Sequence, residues 1–277
     1  MPNVSEGRDA RVLAQLSRAC GDAILDCHVD PDHHRSVFTL AGAHVEDAAR
    51  ALAIAVADDV DLRNHDGAHP RRGALDVVPF VTLADDPPTR AVEAAHAFAA
   101  WVGEALMLPA FLYDRADPGG RSLPEVRRDA FVRRAPDFGP LTPHPALGSV
   151  AVGARAPLIA VNCELATDEL AIARQIAARV RERDGGLPGV RALGIRLASR
   201  RRVQVSMNLV ALERTGLEQA CTEVERLARA AGADVARIEL VGLIPAAELA
   251  RSHDEFLDRA GIGPDRTLER RLARLEP

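Results

Sequence analysis

Between residues 64 and 80 the chain reads NHDGAHPRRGALDVVPF, which sets His65, Asp66, His69, Arg71, Arg72 and Asp76 close together ahead of an apolar run. Imidazole has an ordinary pKa of roughly 6.5, so it can take a proton and return it near neutral pH. A nearby carboxylate can orient such a ring, and guanidinium forks hold carboxylates through paired hydrogen bonds. Asp66 and Asp76 are both candidates for the orienting role, and spacing does not choose between them. Pro70 biases His69 toward an extended backbone, so this imidazole is expected on a stiff loop. The competing reading of His69 is a loop histidine that simply bonds a backbone carbonyl.

A second stretch, PDFGPLTPHPALG at residues 136–148, holds four prolines and is expected to face the first across one site. Its rigidity would lower the entropy cost of holding a flat ligand. His28, Asp30, Asp32, His33 and His34 invite a metal reading, because imidazole and carboxylate are common ligands. The cluster lacks a recognised ligand spacing, and no metal is expected. Cys20, Cys27, Cys163 and Cys221 form no CxxC pair, which leaves neither a zinc site nor a disulfide framework.

Composition narrows the chemistry further. All 35 basic residues are arginine, so a Schiff base or an amine nucleophile is excluded apart from the N-terminus. The net charge of −5 argues against nucleic acid as a partner. No run approaches the roughly 20 apolar residues of a membrane span. The N-terminus MPNVSEGR lacks the apolar core of a signal peptide, and a cytoplasmic protein is expected.

The elements that must carry these residues follow from periodicity and turn chemistry. Strands are expected at residues 1–5, 23–29 and 36–40, with a helix at 9–20 and another at 45–60. A strand at 77–83, a helix at 89–107 and a strand ending at Tyr113 come next; residues 114–148 read as a connecting segment with one short helix near Glu125. The second half reads as a strand at 158–165, a helix at 168–183 capped by Thr167, two strands, a helix at 216–231 and a last strand. Both halves thus read βαββαβ, the first with one further helix and strand. The expected class is α+β, in two units at 1–150 and 151–277, each an antiparallel sheet covered by helices.

These motifs together resemble the formiminotransferase domain family. The resemblance rests on PNVSEGR at residues 2–8, DPDHHRSVFT at 30–39, GAHPRRGALDVVPF at 67–80, PDFGP and HPALG within 136–148, AVGAR, LIAVN, QVSMNL and LVGLIP, all in order along nearly the whole chain. It implies two tandem ferredoxin-like subdomains with a ligand groove between them. It also implies transfer of a formimino group between N-formimino-L-glutamate and N5 of tetrahydrofolate, the folate being a co-substrate, in the one-carbon chemistry of histidine degradation. The motif histidine of that family falls on His69, which makes it the implied general acid/base. The implied folate loop falls on Gly139, Pro140, Leu141, Thr142, Pro143, His144, Pro145, Ala146, Leu147 and Gly148.

His28, Arg35, His65, Asp66, Arg71, Arg72, Asp76 and Arg155 are the supporting or carboxylate-binding candidates. Two positions depart from the family pattern: His34, where Asn is common, and Arg72, where Met is common. They leave room for a folate-dependent formyl or formimino transferase with another donor or acceptor amine, and a folate binder without catalysis is a further alternative. The resemblance also implies a homodimer, and a protein without the cyclodeaminase domain fused in some relatives is expected.

Overall fold

Asp9 starts the first helix, its carboxylate accepting the backbone N–H groups of Arg11 at 2.8 Å and Val12 at 3.2 Å, so that Val12 and Leu16 turn inward. The computed structural model describes residues 1–83 and 87–275. Two compact units emerge, Met1–Ala156 and Pro157–Pro277.

In the first unit β1 (Asn3–Val4), α1 (Ala10–Ala19), β2 (Ile24–Asp30), β3 (Arg35–Leu40), α2 (Val45–Asp59) and β4 (Leu75–Val81) give the expected βαββαβ order. α3 (Pro88–Ala105), β5 (Ala110–Asp114), α4 (Leu123–Asp129) and β6 (Val150–Arg155) follow. The sheet order is β2-β3-β1-β4-β6-β5. Its first four strands pair antiparallel, in the ferredoxin-like arrangement, whereas β6 pairs parallel with both β4 and β5. Leu16, Phe38, Leu52, Val78, Phe98 and Val152 belong to the core between the sheet and α1, α2 and α3. On the other face a smaller cluster joins Val77, Phe111, Tyr113 and Ala151 to Val126 of α4.

Two expectations for this unit need correction. β6, the AVGAR motif, lay outside any expected strand, and it makes the sheet mixed instead of antiparallel. It also carries the first unit to Ala156, six residues past the expected 150, because β6 hydrogen-bonds within the first sheet. A strand of small residues buried on both faces carries little alternation to read.

The second unit holds β7 (Ile159–Leu165), α5 (Leu170–Val180), β8 (Val190–Leu197), β9 (Arg202–Leu209), α6 (Leu217–Ala230) and β10 (Val235–Val241). Its sheet, ordered β10-β7-β9-β8, is antiparallel throughout and ferredoxin-like. Ile159, Cys163, Ile176, Val205, Cys221 and Val224 share its core. α5 begins at Leu170, later than expected, and the Thr167 hydroxyl accepts from Glu169 N–H just before it, at 3.2 Å. Among the described residues no helix is long and apolar enough to cross a membrane.

Candidate active site

The loop between α2 and β4 is held down before it does anything else. Gly67 lies where an added Cβ would come within 2.3 Å of the His33 carbonyl oxygen, so only glycine permits the loop to press on the β2–β3 turn. Arg71 then clamps the loop to itself and to that turn. Its Nη2 donates to the carbonyls of His69 at 2.6 Å and His33 at 3.1 Å, and its Nη1 lies 2.6 Å from His65 Nε2. The fork expected to hold a ligand carboxylate is therefore engaged by the protein. Burial, with Arg35 next, brings the Arg71 pKa down to about 10.

The turn that receives the loop is itself strained. His34 has φ of 49°, a region that a side chain such as Asn tolerates better than most, which accounts for the residue commonly found there. Its Nδ1 accepts from Gly7 N–H at 3.1 Å, and its ring lies 4.0 Å from that of His65, centroid to centroid. Burial lowers the pKa of both rings, His65 to about 4 with Arg71 adding to the effect.

Beneath the loop Asp76 is fully buried. Its carboxylate accepts from Arg35 Nη1 at 2.7 Å, from Arg72 N–H at 2.7 Å and from Arg127 Nη2. Burial alone would raise its pKa, but Arg35 and Arg127 outweigh that and hold it at about 2. Arg35 is completed by Asn3 Oδ1, 3.0 Å from Nη2.

His69 sits above this cluster, half-buried, its ring 5.5 Å from that of His33. Its Nδ1 is 2.7 Å from the Pro70 carbonyl oxygen. A carbonyl only accepts, so Nδ1 carries the hydrogen and Nε2 carries the lone pair. No partner for Nε2 is found among the described residues. Burial pushes the ring pKa well below its ordinary value, and Arg35, Arg127 and His33 push it further in the same direction. The result is a neutral imidazole with one nitrogen fixed and the other available. The expected bond to a backbone carbonyl is therefore made by Nδ1.

Neither expected carboxylate orients the ring. Asp66 is exposed and paired with Arg8 at 2.5 Å, and Asp76 is occupied by arginines. Arg72 donates to the Arg127 carbonyl. Arg155 lies at the end of β6, its Nη1 donating to Ala156 O at 2.9 Å, and His28 lies on β2 opposite Val37. Arg127 was absent from the sequence candidates, and its only signal was a basic pair on the short helix near Glu125. No group of three or more His, Cys, Asp or Glu suited to a metal occurs among the described residues.

The 139–148 loop is joined to the His69 loop by backbone. Ser149 N–H donates to Arg72 O at 3.0 Å and Ala74 N–H to Leu147 O at 2.9 Å. Gly148, with φ of 72°, approaches so closely that an added Cβ would lie 2.1 Å from Arg72 O. His144 Nδ1 accepts from Leu147 N–H at 3.0 Å and Ala146 N–H at 3.3 Å, which leaves Nε2 as its donor. Leu147 is a core residue, whereas Leu141, Thr142, Pro143 and Pro145 are exposed.

The first of the two ferredoxin-like units thus presents a neutral histidine on a proline-stiffened loop. The profile of the formiminotransferase domain's N-terminal subdomain matches residues 1–155, and that of the formiminotransferase domain matches residues 160–263. The chain belongs to the formiminotransferase domain family. It is 36% identical over 274 residues to a protein of Streptococcus pyogenes serotype M1 named glutamate formimidoyltransferase, covering 93% of this chain and 92% of that one. A protein of the same name from Thermoplasma acidophilum is 35% identical over 291 residues, covering 98% and 96%. Formimidoyltransferase-cyclodeaminase of Sus scrofa is 34% identical over 267 residues, 88% of this chain and 49% of that one.

Proposed function

We propose that this protein transfers a formimino group between N-formimino-L-glutamate and N5 of tetrahydrofolate, with His69 as the general acid/base. The observation that carries the reading is the fixed tautomer of His69. One proton must leave the attacking amine and one must reach the departing amine, and a lone pair at Nε2 can take the first and supply the second. A ring kept neutral by burial and by two guanidinium groups is ready to accept at neutral pH, and once protonated it is a strong acid that gives the proton up readily.

The exposed part of the 139–148 loop, with the His144 Nε2–H as a donor, is the proposed folate-contacting wall. Leu147 supports it from the core. His34 and Arg72, the two departures from the family pattern, each engage one polar atom within the protein, His34 Nδ1 with Gly7 N–H and Arg72 Nη2 with Arg127 O. These internal contacts support the reading with formiminoglutamate as donor.

Incubation with tetrahydrofolate and formiminoglutamate, followed by absorbance of the formimino product, tests the reading. Turnover is expected; good turnover of a formyl donor with none of formiminoglutamate would overturn it. The proposal includes a homodimer and a cytoplasmic setting. The sheets end in edge strands, β2 in one and β10 and β8 in the other, which such association can cover, whereas the outer edge of β5 is already bonded by residues 134–138. Sedimentation at micromolar concentration should show a species near twice the 29.7 kDa chain mass, and a single species at chain mass would contradict the dimer.

A further inference from the structure

Four features surround the carbonyl of Pro70. His69 Nδ1 lies 2.7 Å from its oxygen and Arg127 Nη1 donates to the same oxygen at 2.9 Å. Arg127 Nη2 is held by the Asp76 carboxylate, and Arg72 returns a hydrogen bond from the loop to the Arg127 backbone carbonyl. α4, which carries Arg127, is itself fixed. Glu125 accepts from Ser122 N–H at 2.8 Å and from its hydroxyl at 2.6 Å in a capping box, and Val126 is buried in the small cluster on β5 and β6.

We propose that Arg127 is a positioning residue for His69: it shares the Pro70 carbonyl with the ring, so that a guanidinium anchored on a buried carboxylate fixes both the orientation and the tautomer of the imidazole. This rests on the proposed function and extends it to a residue fifty-eight positions away whose hydrogen-bonded link to the ring is a backbone oxygen.

Two effects follow from one contact. The shared carbonyl cannot rotate toward another donor, so the Nδ1–H direction is set before any ligand arrives. The Arg127 charge also stands close enough to oppose an imidazolium. The groups facing the ring are Arg35 from β3, Arg127 from α4, His33 from the β2–β3 turn and Asp76 from β4, and the loop's own Arg71 donates to the His69 carbonyl. Asp76 alone favours the protonated ring, and its charge is shared between Arg35 and Arg127. Loss of Arg127 removes a cation and leaves Asp76 less compensated, so both changes move the ring toward protonation.

The test uses Arg127→Gln and Arg127→Lys in the full chain, assayed with tetrahydrofolate and formiminoglutamate across pH, with circular dichroism and melting to confirm folding. Gln can still donate to a carbonyl but has no charge; Lys keeps the charge and loses the two-pronged grip. For Arg127→Gln the acid limb of kcat/KM should move up by about one pH unit, as loss of a close like charge implies. For Arg127→Lys the limb should stay in place while kcat falls about tenfold to a hundredfold, with KM nearly unchanged, as for a misplaced catalytic group.

A folded Arg127→Gln whose limb coincides with the parent's overturns the inference. Should that variant fail to fold, Arg127→Lys decides, and parental kcat there overturns it as well. His69→Ala assayed beside them separates the failures. If it turns over like the parent, the assignment of His69 falls; if it is inactive while the Arg127 variants behave as the parent, only the role of Arg127 falls.

Discussion

The two units share a βαββαβ frame and a similar apolar core, and they differ in where they bury charge. In the first, Asp76 is wholly enclosed and its arginines nearly so, with side-chain exposures of 10% for Arg35 and 21% for Arg127. In the second, Glu164 on β7 is 10% exposed, but its partners Arg200 and Arg202 are 44% and 41% exposed. A guanidinium in solvent is screened and adds little, whereas one held away from water beside a buried carboxylate is screened less. The same frame thus encloses its charge in one half and leaves the partner charges at the surface in the other. Chemistry belongs to the site and not to the topology.

The largest effect expected is on catalysis. His69→Ala should lower turnover by about 10²- to 10⁴-fold, or roughly 3 to 5.5 kcal/mol of barrier, while stability changes by less than about 1 kcal/mol. Steady-state assay and thermal melting check both halves, and a variant within about threefold of the parent, far short of a general-base effect, would remove the first unit's special standing.

Next comes Asp76→Ala, which leaves Arg35 and Arg127 facing each other without a carboxylate. Breaking such a buried pair costs about 3 to 5 kcal/mol, to be read from denaturant unfolding. Its pH dependence has a definite sign. The folded carboxyl titrates at about 2, and an unfolded Asp near 3.9. The stabilisation, on the order of 2 kcal/mol, is present in full above about pH 4 and is lost as pH falls toward 2. A parent protein whose stability stayed flat through that window would argue against the buried cluster.

Smallest is Glu164→Gln in the second unit. Its exposed partners limit the change to under about 1 kcal/mol, with turnover unaffected. A loss as large as that of Asp76→Ala would erase the contrast between the units.

Much of this was legible in the residues. His69, Asp76, Arg35 and Arg71 stand in motifs that announce them, and the βαββαβ order follows from periodicity in both halves. What was not legible lies in long-range placement. Asp76 read as a possible ring-orienting carboxylate, yet it binds arginines and leaves the ring to a carbonyl, because its depth in the sheet is not a local property. Arg127 reaches the site only because β5 and β6 carry α4 to the edge of the loop. β6 itself is silent in the sequence, since a run of small residues such as VAVGAR shows no alternation. On charge alone Arg71 reads as a ligand-binding fork, and its engagement with three loop and turn residues depends on how the loop closes on Gly67.

If the site works as proposed, His69 is a neutral imidazole at pH 7 with its hydrogen on Nδ1 and its lone pair on Nε2. Nitrogen-15 NMR of histidine-labelled protein, with His69→Gln to assign the signal, measures both properties at once. An Nδ1–H tautomer is expected, with no titration until the pH is well below the ordinary histidine value of roughly 6.5. A ring that titrates at the ordinary value, or that carries its hydrogen on Nε2, would contradict the claim.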